Sequence, residues 1–304
     1  MAGSESSVAV HRGGRWLEGP TAFHGEGAFW DERIGALRSV DMLSGDILTH
    51  RETADDGGDA EGRHSVSDVV ALIRPRVTGG YVVATERGFA LLDDELRTER
   101  EIPVFEETLL RMNEGACDAA GRLCCGSLAY DYAPGAGKLY RLDPDLSVHV
   151  VLEQVTIPNG LVWTAGAGGP LALHADTADD AVYAYDFDPI AGAFGPRETF
   201  VDFAGVTGSP DGMTLDAEGG LWIALWGGAA VRRYDARGIL TDIVPLPVSH
   251  PTSCAIGGGS GTTLFVTTSR AGDTGAPEPF AGQVYAIDIG VAAAAVHGFG
   301  VREP

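Results

Sequence analysis

Lysine and asparagine are almost missing from this chain. Among its 304 residues there is one lysine, Lys138, against twenty arginines, and there are two asparagines, Asn113 and Asn159. Basic residues are also scarce relative to acids, 21 against 43, for a formal net charge of -22. A surplus of that sign repels phosphate backbones and anionic membranes, so neither nucleic acid nor membrane is expected as a partner. Uninterrupted apolar runs are too short for a spanning helix. The start, Met1 to Ser7, has neither the basic nor the apolar segment of a secretory signal, so a cytoplasmic location is expected. Cysteine is limited to Cys117, Cys124, Cys125 and Cys254, whose spacing fits no zinc pattern. They read as small buried residues of a reducing compartment. Helical periodicity is scarce too. Glu106 to Met112 could make one helical turn, and the Ala292–Ala295 run is too short to decide.

What remains is glycine, aspartate and short apolar stretches, and these repeat. A polar residue and a glycine open a short strand, an Asp-x-x-Gly turn follows, and a second strand comes next. Gly25-Glu26-Gly27-Ala28-Phe29-Trp30-Asp31 leads to Gly35, and Asn113-Glu114-Gly115-Ala116-Cys117-Asp118 leads to Gly121. Pro158-Asn159-Gly160-Leu161-Val162-Trp163 opens another unit, and Pro210-Asp211-Gly212-Met213 opens the next, ending at Asp216 and Gly219. Pro251-Thr252-Ser253-Cys254 echoes the unit without a carboxylate. Units recur about every 45–50 residues, the spacing of propeller blades. Alternating segments such as Leu139-Tyr140-Arg141-Leu142 and Val182-Tyr183-Ala184-Tyr185 supply third strands. The expectation is all-β: a six-bladed β-propeller of four-stranded antiparallel blades around a central channel. It would occupy residues 16–304 as a single domain after an N-terminal tail, 1–15. Asp55 to Ser67, rich in Gly and Asp, reads as a loop between blades, and 164–169 and 257–261 read as turns.

A propeller brings equivalent positions of successive blades to one ring. Glu26, Asn113 with Glu114, Asn159 and Asp211 therefore converge at one mouth. Asn159-Gly160 alone would pass for a turn dipeptide. In a chain so poor in asparagine, though, an amide kept at a ring position suits chemistry that Asp or Gly cannot supply: a neutral oxygen ligand with a donor attached. Glu26, Asn159 and Asp211 form an all-oxygen set suited to one divalent cation. Ca2+ is expected first, with Mg2+, Mn2+, Zn2+ or Fe2+ as alternatives. Arg111, just before this ring, would hold substrate oxygens or simply pair with one of the many carboxylates.

These motifs resemble the senescence marker protein/regucalcin, gluconolactonase and luciferin-regenerating enzyme family. The match runs through Gly25-Glu26-Gly27-x-x-Trp30-Asp31, Arg111-Met112-Asn113-x-Gly115, Asn159-Gly160-Leu161-x-Trp163 and Pro210-Asp211-Gly212-Met213. The resemblance implies one metal in the channel, held by Glu26, Asn159 and Asp211, and a lactone opened by metal-activated water with Asp211 as general acid/base. It implies substrate contacts at Arg111 and Asn113 and, loosely, at Asp131, with Glu114 as an added acid at the mouth. The expected partner is a small-molecule lactone; oligomeric state is not legible. Two other readings stay open: a calcium- or ligand-binding propeller without catalysis, and a biosynthetic tailoring enzyme on the same scaffold. Several departures from the family pattern point to a remodelled pocket wall: Arg38-Ser39 where Tyr-Trp is common, Cys124-Cys125 in a strand that usually carries aromatics, and His174. His24 would either reach the mouth or stay at the surface.

Overall fold

A computed structural model describes residues 8–52, 62–272, 275 and 278–301. Six antiparallel sheets stand around a channel. Their inner strands are Gly25–Asp31, Val70–Pro75, Leu110–Cys117, Pro158–Gly166, Ser209–Leu215 and Pro251–Gly257, one for each of blades 1 to 6. Blades 1 to 4 run inner to outer in chain order, four strands each, as the repeats predict. The first-blade sheet is completed by Arg63–Ser65, so part of the stretch read as a loop is a strand; residues 53–61 of it lie outside the described residues. No helical turn forms over 106–112. Leu110–Cys117 pairs instead with Leu123–Ala129, because that pairing buries Met112 and Cys117 in the core. Ala293 makes an isolated bridge to Asp216, and the Ala292–Ala295 run is irregular.

Closure of the ring is non-local. Arg15–Trp16 forms the outermost strand of blade 6, hydrogen-bonded to Tyr285–Asp288. Ala9–Val10, within the stretch read as a tail, lies parallel to the outer strand of blade 5. At the far end of the channel, residues 292–300 cross from blade 5 to blades 2 and 3. Ala217 N–H donates to Ala292 O, Phe299 N–H to Pro75 O, and Gly300 N–H to Gly121 O. Between this strap and the polar ring lies a cavity of about 120 Å³ lined by Trp30, Arg74, Glu114, Trp163 and His297.

The decisive local feature is a bulge. In five of the inner strands pairing with the second strand skips at the same place: between Glu26 and Phe29, Met112 and Gly115, Pro158 and Leu161, Pro210 and Met213, and Pro251 and Cys254. A bulge re-aims side chains at the point where it interrupts a ladder. Asn113, Glu114, Asn159 and Asp211 sit in these bulges and escape the strand's ordinary alternation, while Glu26, paired with Val40, stands at the edge of the first. Gly160 shows why glycine follows. A Cβ there would stand 2.7 Å from the amide nitrogen of Met213 and 2.9 Å from the carbonyl of Asp211, on the neighbouring inner strand. Gly160→Ala is expected to cost about 1–3 kcal/mol, the usual range for forced overpacking. Calorimetric melting of the variant checks this; an unchanged melting temperature would contradict the close approach.

Candidate active site

Four blades contribute the ring. Glu26, Asn113, Glu114, Asn159 and Asp211 are all buried, as is Arg111. Blade 2 has Ala71 at its inner-strand start, and blade 6 has Thr252 and Ser253.

Two aspartates fix how the inner strands enter. At the end of the second strand of blade 1, Asp41 accepts the N–H groups of Phe23 and His24, both at 2.9 Å. In blade 4, Asp176 accepts those of Thr156 and Ile157, also at 2.9 Å. The amides lie three and two residues before Glu26 in the first case and before Asn159 in the second. The same device therefore positions two ring residues. The sequence signal was the apolar residue and Asp that close both second strands, Val40-Asp41 and Ala175-Asp176; their shared role shows only in three dimensions.

Hydrogen bonds orient both amides. Thr177 donates its hydroxyl to Pro210 O at 2.6 Å, so toward Asn159 it can only accept, and Asn159 Nδ2 donates to it at 2.7 Å. Asn159 Oδ1 thereby turns the other way. It accepts one bond, from Asn113 Nδ2 at 3.1 Å, and keeps a lone pair. Asn113 Nδ2 also donates to Pro158 O at 2.8 Å, while its Oδ1 accepts from Arg111 Nη1 at 2.6 Å. Arg111 Nη1 further contacts Met42 Sδ at 3.1 Å; its Nε and Nη2 donate to none of the described residues.

The carboxylates are crowded. Burial first, and then the charges of Asp211 and Glu114, push Glu26 well above the usual carboxylate range. Burial and Glu114 do the same to Asp211. Glu114 is also raised by burial, against the opposing pull of Arg74. Glu114 Oε1 accepts from Arg74 Nη2 at 3.2 Å and from Gly115 N–H at 3.0 Å. Its Oε2 and Asp211 Oδ1 are buried with no hydrogen-bond partner among the described residues. Orphaned acceptors of this kind cost a few kcal/mol unless something completes them. No group of three His, Cys, Asp or Glu among the described residues is placed to hold a metal by itself. The set that could do so is mixed: two carboxylates and the amide oxygen of Asn159.

His24 reaches the ring. Its Nε2 lies 4.0 Å from Glu26 Oε1, its Nδ1 bonds Ser269 Oγ at 2.8 Å, and its ring meets Trp226 edge-on. Burial, with Arg111's charge adding, lowers its pKa to about 4, so the imidazole is neutral near pH 7. Asp131 lies on an exposed turn, where its Oδ1 accepts Ala133 N–H at 3.1 Å; the structure does not bring it into the buried ring. The departures read as pocket walls lie inside blades instead. Arg38 bonds Thr49 and the Tyr81 hydroxyl, Ser39 bonds His50, Cys124 and Cys125 pack in core clusters, and His174 packs against Tyr185. The four cysteines are free and buried.

A six-bladed propeller with an acid- and amide-lined ring at one channel mouth is a scaffold for small-molecule chemistry. The chain belongs to the SMP-30/gluconolactonase/LRE-like family, whose model matches residues 24–270. It is 33% identical to pentonolactonase XacC of Haloferax volcanii over 274 residues, 87% of this chain and 90% of that one. It is 32% identical to regucalcin of Danio rerio over 252 residues, covering 82% and 83%. Among solved structures, a luciferin-regenerating enzyme superposes with a TM-score of 0.84 at 26% identity, covering 95% of this chain and all of that one. A calcium-binding regucalcin from Agrobacterium tumefaciens gives 0.83 at 24% identity, covering 97% and 99%, and so speaks to the fold alone.

Proposed function

We propose that this protein is a divalent-cation-dependent lactonase, opening a cyclic ester to a hydroxy acid. The observation that carries the reading is a pair of buried carboxylates, Glu26 and Asp211, near enough for the charge of Asp211 to act on Glu26, with Asp211 Oδ1 unpartnered among the described residues and Asn159 Oδ1 keeping a lone pair. Membership of a family with lactonase-named relatives supports the substrate class. The donors fit a hard cation, because they are all oxygens and two are anionic. Glu26, Asn159 and Asp211 would hold it, with Ca2+ expected first. When bound, such a cation polarises an ester carbonyl and acidifies water beside it.

The residues do the rest. Asp211 accepts a proton from the attacking water as its oxygen bonds to the carbonyl carbon. Collapse of the tetrahedral intermediate breaks the ring C–O bond, and Asp211 returns the proton to the leaving alkoxide. Arg111, fixed by Asn113, presents its remaining N–H groups to the oxygen that gains charge. Asn113 holds Arg111 and Asn159 in register. Proton release from a lactone panel, with EDTA-treated protein and with Ca2+ restored, tests the reading. Turnover that disappears with the metal and returns with it is expected; full turnover without metal would refute it. Cation binding without turnover of any lactone would favour the non-catalytic alternative.

A pH effect follows from the same carboxylates. Their folded pKa values are raised above the unfolded ones, so above about pH 4 the folded state binds more protons than the unfolded state. Taken alone, these carboxylates weaken the metal-free fold as pH rises, while buried His24, His50 and His174, each lowered to about 4, strengthen it up to about pH 6.5, so the carboxylate effect is read from the response to cation. Added Ca2+ should raise the melting temperature more at pH 8 than at pH 5. Melting curves at both values check this, and an equal rise at both would contradict it.

A further inference from the structure

The loops round the mouth expose several large apolar side chains. Phe23, Leu43, Leu109, Tyr130 and Tyr132 are exposed, Leu109 by 74% and Tyr132 by 55%. All five lie at the channel end that carries the ring. Met42 N–H donates to His24 O, and Tyr130 N–H donates to Leu109 O, tying second-strand ends to inner-strand starts there. Monomeric proteins rarely cluster exposed apolar side chains without a use for them.

Two aromatic side chains pack on the site's own residues, and a third lies near them. Arg111 lies over the Tyr130 ring, 5.9 Å from its centre, and the Tyr132 phenol is within electrostatic range of the same guanidinium. The Tyr130 hydroxyl is tied outward to Glu86 Oε1 at 2.7 Å, which leaves the ring itself as contact surface. Tyr132 is held in the left-handed region, φ 57°, by a turn whose N–H donates to Ala129 O. On blade 5, Trp226 meets His24 edge-on. Inside this rim the amide groups of Asn113 and Asn159 are tied to protein neighbours, and His24 is tied through Nδ1. The polar atoms left over, on Arg111, Glu26, Asp211, His24 and Glu114, lie within the buried ring where the ester enters, while the exposed side chains outside it include Phe23, Leu43, Leu109, Tyr130 and Tyr132.

We propose that the substrate is a lactone bearing an aryl or extended apolar substituent, the ester entering the ring while the substituent lies against Tyr130, Tyr132 and Trp226. This rests on the lactonase reading. Sugar lactones are thereby placed as poor substrates. The test compares phenyl-substituted δ-valerolactone with gluconolactone, corrected for uncatalysed opening, in the wild type and in Tyr132→Ala and Trp226→Ala. The wild type should favour the phenyl lactone in kcat/KM by about tenfold or more, the scale of a few apolar contacts in a pocket. Each variant should lower that ratio about tenfold, mainly through KM, and Tyr132→Phe should restore it. Preference for gluconolactone, or a ratio the variants leave unmoved, would overturn the proposal. If neither lactone opens, the lactonase reading fails, and titration with the phenyl-substituted piperidinone lactam decides this inference separately. Binding weakened about tenfold in both alanine variants sustains it, and absence of binding ends it.

Discussion

Asp211→Asn is expected to lower kcat/KM for lactone opening by about a thousandfold or more, while making the metal-free protein more stable. The two effects have one cause. Asp211 is buried, its Oδ1 has no partner, and Glu114's charge presses on it. In the absence of a cation that carboxylate is a burden on the fold, and a neutral amide of the same shape relieves it. In the proposed reaction the same carboxylate serves as both cation ligand and proton carrier, and loss of either role would cost several kcal/mol in the barrier. The variant should also lose the rise in melting temperature that Ca2+ gives the wild type. Steady-state kinetics and paired melting curves read all three quantities. Near-wild-type turnover, or a less stable metal-free variant, would remove Asp211 from the role assigned to it.

Arg74→Met should destabilise the protein by about 3–5 kcal/mol, the cost of stripping one partner from a buried ion pair. Arg74 reaches from blade 2 to both neighbouring blades. Nη1 donates to Gly27 O at 3.1 Å, and Nη2 donates to Glu114 Oε1 at 3.2 Å and Gly115 O at 2.8 Å. Two of its acceptors therefore lie in the bulges beside the ring. Without it, Glu114 is left buried near Glu26 and Asp211 with no ion-pair partner among the described residues. The double variant Arg74→Met/Glu114→Gln should regain more than half of the loss, because the stranded charge goes with its partner. Denaturant unfolding of both variants at pH 8 measures this. Equal losses in the single and double variants would mean that packing, and not charge, accounts for Arg74.

Much of this was legible in the residues. The polar-Gly opening and the Asp-x-x-Gly turn recur often enough to fix blade number and to align Glu26, Asn113, Asn159 and Asp211 before any coordinates, and six blades are what the chain forms. The scarcity of asparagine singled out two residues that the structure joins by a hydrogen bond. What escaped was non-local or carried by context. Glu106 to Met112 is full of helix formers, yet pairing with Leu123–Ala129 outweighs that preference. Arg63–Ser65 forms a strand in a polar stretch because Arg63 is paired with Asp41 and Asp46 beneath it. Arg74 has no motif of its own, and its reach across the channel depends on which blades flank it. Second-strand substitutions such as Arg38 and Cys124 read as pocket walls because the sequence does not show that these side chains bond or pack within their blades.

The central claim is that Glu26, Asn159 and Asp211 share one cation, and a crystal structure of Ca2+-soaked protein tests it most directly. One strong peak should lie about 2.3–2.6 Å from an oxygen of each of the three side chains, the distance range of calcium–oxygen bonds. Calcium bound elsewhere, or a ring that stays empty at saturating Ca2+ while lactone is still turned over, would contradict the account.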